Sequence, residues 1–162
     1  MVFINWTATT NAATSILDAI IKYAGASSWS AIKSGTGTGP WATLTHNTFS
    51  ETKAQVIAWG RTQAQSNTGI AIYHSSYGNL VCTTPTDSTW YRFKASFWYD
   101  TTTNIKWGRV EIWNGSTWAQ IGGGDTNFGT GSPSVGSIAL KMTISVGLPI
   151  VAIWFDEVEV YS

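Results

Sequence analysis

Residues 90–100 read WYRFKASFWYD, and this stretch decides the fold because its side chains alternate in character. In a β-strand, successive side chains point to opposite faces of the sheet. One face would carry Tyr91, Phe93, Ala95, Phe97 and Tyr99. The other face would carry Trp90, Arg92, Lys94, Ser96 and Trp98. The period of two predicts a strand with its apolar face toward the core.

Residues 105–113, IKWGRVEIW, predict a second strand of the same kind. One of its faces would carry Lys106, Gly108, Val110 and Ile112, and the other Trp107, Arg109, Glu111 and Trp113. The Asn114-Gly115 pair that follows is typical of a tight hairpin turn, so residues 117–123 should form the returning strand. The Gly-rich stretch 123–136 after it predicts a flexible surface loop.

Similar short apolar runs separated by turn residues continue through the chain. Residues 53–63 and 69–76 predict a hairpin across Ser66 to Gly69. Residues 14–25, TSILDAIIKYAG, instead place Ile16, Ile20 and Tyr23 at helical spacing and predict one short N-terminal helix. Many antiparallel strands at short spacing predict a sandwich or a barrel. With no repeat or linker in between, residues 1–162 should form a single β-sandwich domain.

The composition excludes some classes of partner. Only 11% of the 162 residues are charged, the formal net charge is zero, and the nine Lys and Arg residues are scattered singly. Nucleic acid is therefore not an expected partner, since phosphate binding needs clustered cations. A membrane is not expected either, because no apolar window is long enough to span one. Ten Trp and 16 Gly residues complete an all-β profile.

The order of strands and turns resembles the concanavalin A-like jelly rolls, the laminin G-like and carbohydrate-binding-module group. The resemblance covers residues 29–162 and lies in NTGIAI at 67–72, TWYRF at 89–93, RVEIWNG at 109–115 and FDEVEVY at 155–161. It implies an all-β, two-sheet antiparallel jelly-roll sandwich whose concave sheet holds a sugar in many members. The predicted core contains Val56, Ile70, Ile72, Phe93, Phe97, Val110, Ile112, Ile144, Val158 and Val160.

The candidate site is the row of aromatic and charged side chains on the second face of these strands. An indole can stack on the apolar face of a sugar ring, while Arg and Glu can bond its hydroxyls in pairs. The predicted ligand-binding residues are Trp98, Trp107, Trp113, Arg92, Arg109, Glu111, Trp59 and Tyr73. They predict non-catalytic binding of a polysaccharide or glycan.

Two other uses of the same side chains stay open. Trp residues of a sandwich also serve as packing, and aromatics beside Arg are enriched in protein interfaces. The face could therefore bind a second copy of the chain, as in a structural or receptor-binding subunit of a virion, tail fibre or extracellular filament. No signal-peptide pattern is present in this chain, and the predicted location is extracellular or on a virion surface.

Enzymatic activity is not expected. The Glu-x-Asp-x-Glu sets of the glycosidases with this fold are missing. Glu157 and Glu159, two positions apart on a predicted strand, are the one pair of carboxylates whose spacing would suit an inverting glycosidase. His46 and His74 show no metal-ligand spacing. Those members of the resembled group that bind calcium often pair an acidic residue near the N-terminus with one on the closing strand. Asp156 matches the closing-strand position and makes a structural Ca²⁺ ion a candidate, whereas the N-terminal stretch offers only Asn5. No other cofactor is expected.

Overall fold

The computed structural model describes residues 6–11, 13–18, 28–33, 41–49, 52–63, 69–82, 86, 88–132, 136–143 and 152–161. Within this part of the chain no helix is long and apolar enough to cross a membrane. The strands are β1 (Trp6–Asn11), β2 (Ala13–Asp18), β3 (Ser28–Lys33), β4 (Trp41–Phe49), β5 (Lys53–Gln63), β6 (Gly69–His74), β7 (Gly78–Cys82), β8 (Tyr91–Asp100), β9 (Ile105–Trp113), β10 (Trp118–Thr130), β11 (Gly136–Thr143) and β12 (Ala152–Tyr161).

The strands form two antiparallel sheets that enclose one core. The five-stranded sheet has the order β1-β4-β11-β6-β7, and the seven-stranded sheet has the order β10-β9-β8-β5-β12-β3-β2. Their inner side chains meet in a cluster that joins Phe93 and Phe97 of the seven-stranded sheet to Ile72, Leu80 and Leu140 of the five-stranded sheet. The predicted two-sheet antiparallel jelly roll is therefore confirmed.

The alternation of apolar and polar residues determines which side chains of each strand face the core. Phe93, Ala95 and Phe97 are fully buried, as β8 was predicted to place them. Burying a side chain of the size of Phe contributes about 1.5 to 3 kcal/mol to folding. Of the predicted core residues, Val56, Ile72, Phe93, Phe97 and Val110 are buried, Ile112, Val158 and Val160 pack against the core while partly exposed, and Ile70 and Ile144 lie outside the described side chains.

The prediction of an N-terminal helix is wrong over the residues that the structure describes. Ala13–Asp18 is strand β2, which pairs along its whole length with β3 in the register Ile16↔Ser30. Pairing to a neighbouring strand outweighs a helical spacing of three apolar residues, because local propensity is a weak preference. Ile20 and Tyr23 lie outside the described residues.

The predicted hairpin of residues 53–63 and 69–76 is also wrong. β5 pairs with β8 and β12, whereas β6 pairs with β11 and β7 in the other sheet. The chain thus crosses between sheets after β5. Spacing along the sequence does not show which of two sheets a strand joins, because that choice depends on long-range partners.

Candidate functional site

The outer side of the seven-stranded sheet carries most of the predicted site. β8 and β9 pair so that Lys94 faces Glu111, Ser96 faces Arg109 and Trp98 faces Trp107. Side chains opposite each other on one face of a sheet lie close enough to interact. We call this surface the aromatic-polar face, and its members are Trp59, Arg92, Lys94, Ser96, Trp98, Trp107, Arg109, Glu111, Trp113 and Trp118 on β5, β8, β9 and β10.

Each cation that β8 and β9 contribute to the aromatic-polar face has a carboxylate partner. Lys94 Nζ lies 2.6 Å from Glu111 Oε2, and both side chains are largely covered, at 16% and 15% exposure. Arg109 donates from Nε and Nη2 to the two oxygens of Asp125 at 2.7 and 2.8 Å. Arg92 Nη2 lies 3.5 Å from Glu159 Oε1, a looser and more exposed contact.

Asp125 reaches Arg109 because β10 bulges away from β9. Ile121 pairs with Val110 and Thr126 with Gly108, so residues 122–125 stand opposite Arg109 alone. Gly122 to Gly124 have φ values of 83°, 80° and 143°, which glycine adopts without strain. Residues 123–130, predicted as part of a loop, are therefore strand, and Gly122 to Gly124 form the bulge.

The bidentate ion pair of Arg109 and Asp125 shifts the pKa values of both groups. Hydrogen bonds donated by Arg109 lower the pKa of the Asp125 carboxyl, and the Asp125 carboxylate raises the pKa of Arg109. The Gln120 amide also donates to Asp125 Oδ1, at 2.8 Å. The bulge is thus tied to the sheet by an ionised pair at neutral pH.

Trp118 also lies on the aromatic-polar face, although it was not among the predicted ligand-binding residues. It pairs with Trp113 across the hairpin, and the two ring centroids are 5.4 Å apart at 61°. Lys94 Nζ lies 4.8 Å and Arg92 Cζ 5.8 Å from the centroid of the Trp118 ring. The sequence contains the information needed to select Trp118, because a hairpin with its turn at Asn114-Gly115 places Trp118 beside Trp113.

A shallow depression of about 380 Å³ lies between β8 and β9. It is lined by Ser96, Trp98, Arg109 and Glu111. Arg109 Cζ lies 5.6 Å from the centroid of the Trp98 ring, so the guanidinium group and the indole form one wall. The depression therefore offers an aromatic ring beside a cationic donor, an anionic acceptor and a hydroxyl.

The structure groups seven of the eight predicted ligand-binding residues on one surface and places Tyr73 elsewhere. Trp59 is next to Arg92 across β5 and β8. Tyr73 lies on β6, in the five-stranded sheet, where Lys141 Nζ stands 4.2 Å from its ring centroid. Its neighbour Ile72 is in the core, so Tyr73 faces outward on the opposite side of the sandwich. The expectation that Tyr73 extends the site rested on the wrong hairpin.

Glu159 and Asp156 take part in local contacts on β12. The Glu159 carboxylate accepts a hydrogen bond from the Tyr161 hydroxyl and faces Arg92. Asp156 is fully buried, and its Oδ1 accepts from the backbone N–H of Glu157 at 2.8 Å. In the described ranges, no group of three or more His, Cys, Asp and Glu side chains lies together as a metal site would require. A Ca²⁺ ion at Asp156 stays a prediction.

The fold matches solved structures, although no protein-family model and no curated protein sequence matches the chain. "Cellulose induced protein, Cip1" aligns with a TM-score of 0.67 and 12% identity over 100% of this chain and 93% of that one. A functionally unknown protein from Saccharomyces cerevisiae aligns with a TM-score of 0.53 and 9% identity over 99% and 97%. TmCBM61 in complex with beta-1,4-galactotriose aligns at 0.45 and 11% over 98% and 89%.

Likeness at such low identity shows the fold alone. The first two alignments cover nearly the whole of this chain and of both others, so the sandwich architecture is shared along its full length. The two-sheet jelly-roll sandwich that the resemblance implied is therefore confirmed as the fold class.

Proposed function

We propose that this chain binds a carbohydrate without cleaving it, and that the ligand lies on the aromatic-polar face of the seven-stranded sheet. The observation that carries the proposal is the depression between β8 and β9, where Trp98 stands beside Arg109, Glu111 and Ser96. Recognition of a sugar needs an apolar surface for its C–H face and fixed polar groups for its hydroxyls. The depression contains both within one shallow concavity.

The roles of the side chains follow from their positions. Trp98 and its cross-strand neighbour Trp107 stack on sugar rings, and Trp113, Trp118 and Trp59 extend the aromatic surface at the other end of the strands. Arg109 and Glu111 bond hydroxyls at the depression, and Arg92 contributes further along β8. Paired charges are pre-oriented donors and acceptors, which lowers the cost of ordering them on binding.

The proposal predicts a localised effect of removing one indole. Trp98→Ala should weaken binding of the best ligand from a panel of soluble polysaccharides by about tenfold or more, because a buried aromatic contact contributes upward of about 1.4 kcal/mol. Isothermal titration calorimetry measures this change. Tyr73→Ala is the matched control, since it removes an aromatic side chain from the opposite sheet and should leave the affinity unchanged.

Three results would count against the proposal. Equal losses in Trp98→Ala and Tyr73→Ala would show that the aromatic-polar face is not the site. Release of reducing sugar that is lost in Glu157→Gln or Glu159→Gln would show a glycosidase instead. Failure of every glycan to bind, together with an oligomer in light scattering, would favour the alternative of an assembly subunit docked through the same face.

A further inference from the structure

We infer that the ligand of the aromatic-polar face is an uncharged glycan, and that its cations orient the site instead of recognising anionic sugars. The inference rests on the proposed function and names the class of glycan. Three cations lie on the central strands of this face: Arg92 and Lys94 on β8, and Arg109 on β9. Their abundance at first suggests a ligand with carboxylate or sulfate groups.

The carboxylate partners of these cations indicate instead that the ligand is uncharged. The pair of Lys94 and Glu111 is close, at 2.6 Å, and is mostly covered. Arg109 directs two of its donors at Asp125 in a bidentate fork, the strongest geometry for this kind of pair. An anionic sugar that bound either cation would have to displace the resident carboxylate or lie beside it, where like charges repel.

The free faces of the same cations are turned toward aromatic rings. Lys94 and Arg92 stand over Trp118, and Arg109 stands over Trp98. The electrons of each ring face attract the cation, so these contacts stabilise the positive charges in addition to the carboxylates. A hydroxyl, by contrast, can donate to the remaining lone pairs of Glu111 or accept from an unused N–H of Arg109 without separating any pair.

The local sum of charge supports the same conclusion. The three cations and the carboxylates of Glu111, Asp125 and Glu159 cancel within the face. Two further cations face outward on β5: Lys53 is exposed and lies opposite Trp98, and Arg61 Cζ stands 5.0 Å from the ring centroid of Trp154. The part of the face formed by β8, β9 and β10 thus offers aromatic surface and hydrogen-bonding groups, and its cations are balanced by carboxylates.

The test compares the carboxymethyl ether of each polysaccharide with its hydroxyethyl ether, the neutral form used here, because the two substituents are similar in size and differ mainly in charge. Cellulose, xylan, mannan and galactan derivatives serve as probes in affinity electrophoresis and calorimetry. The neutral form of the bound polysaccharide should bind about tenfold more tightly than the carboxymethylated form. Carboxymethylated chains that bind as tightly as the neutral ones, or more tightly, would overturn the inference and leave the proposed function standing.

A variant should shift this preference in a predictable direction. Asp125→Asn removes the charge that holds Arg109, and the preference for the neutral form should fall by about fivefold or more. Glu157→Gln is the matched control: it raises the net charge by the same amount, but Glu157 makes no ion pair among the described residues, so the preference should stay as in the wild type. An equal shift in both variants would also overturn the inference. If no probe binds in either form, the proposed function itself fails.

Discussion

His74 is a titratable residue that the fold shields from water. It ends β6 inside the core, fully buried against the rings of Tyr77 and Phe97. Its Nδ1 accepts a hydrogen bond from the backbone N–H of Ser76 at 3.1 Å, which leaves the proton on Nε2. Nε2 has no partner among the described residues. The sequence predicted a strand at His74. It could not predict that the His74 ring is buried, because Phe97, which covers the ring, belongs to the other sheet.

This environment makes folding sensitive to acid. Burial lowers the pKa of His74 from 6.5 to about 4. Between those values the unfolded chain binds a proton that the folded chain does not, so stability falls as the pH drops from 6.5 toward 4, by up to about 3 kcal/mol. Urea denaturation at pH 7, 5.5 and 4.5 measures the loss, and His74→Leu should flatten this part of the profile. His46→Gln, which alters the other histidine, is the control; an unchanged profile in His74→Leu would contradict the assignment.

At the scale of strands, Gly108 allows β9 to lie close to β7, the edge strand of the opposite sheet, because glycine has no side chain. A Cβ atom on Gly108 would lie 2.6 Å from Phe128 of β10 and 3.0 Å from Leu80 of β7. Leu80 is 2% exposed and belongs to the core cluster, so displacing it would disturb other closely packed side chains. Gly108 is also the residue at which pairing with β10 resumes after the bulge, so the bulge and this close packing are neighbours.

Gly108→Ala should therefore destabilise the fold by about 1 to 3 kcal/mol, the usual cost of overpacking a core. Thermal and urea denaturation measure the change. In a Phe128→Leu background the same substitution should cost less, because the nearest atoms have been removed. An additive double variant, or a neutral Gly108→Ala, would show that the close approach is absent.

Local alternation predicted the two faces of β8 and β9 correctly, because a period of two depends only on neighbours along the chain. It did not predict the sheet partners of β2, β5 or β6, since those depend on contacts far apart in sequence. For the same reason the sequence could group Arg109 with Glu111 but could not pair it with Asp125. That contact exists only because the glycine bulge folds back, in a stretch whose composition is typical of a loop.

At the scale of the whole molecule, the two outer surfaces of the sandwich differ in kind. The aromatic-polar face combines five indoles with three ion pairs, whereas the described outer surface of the five-stranded sheet has Tyr73 under Lys141 and the exposed Val81. Among the described side chains, the aromatic-polar face is the one that combines stacking surface with groups for hydroxyl contacts. The number of Trp residues suggested such a surface in the sequence, and the sheet order shows which of them share it.

The most direct measurement of the central claim is an NMR titration of ¹⁵N-labelled protein with the polysaccharide fragment that binds best. If the ligand lies on the aromatic-polar face, the amide shifts concentrate at Ser96, Trp98, Arg109 and Glu111, and Trp indole signals move with them. The signals of Ala71, Tyr73 and Lys141 on the five-stranded sheet then stay in place. Shifts that cluster on the five-stranded sheet, with β8 and β9 unchanged, would contradict the central claim.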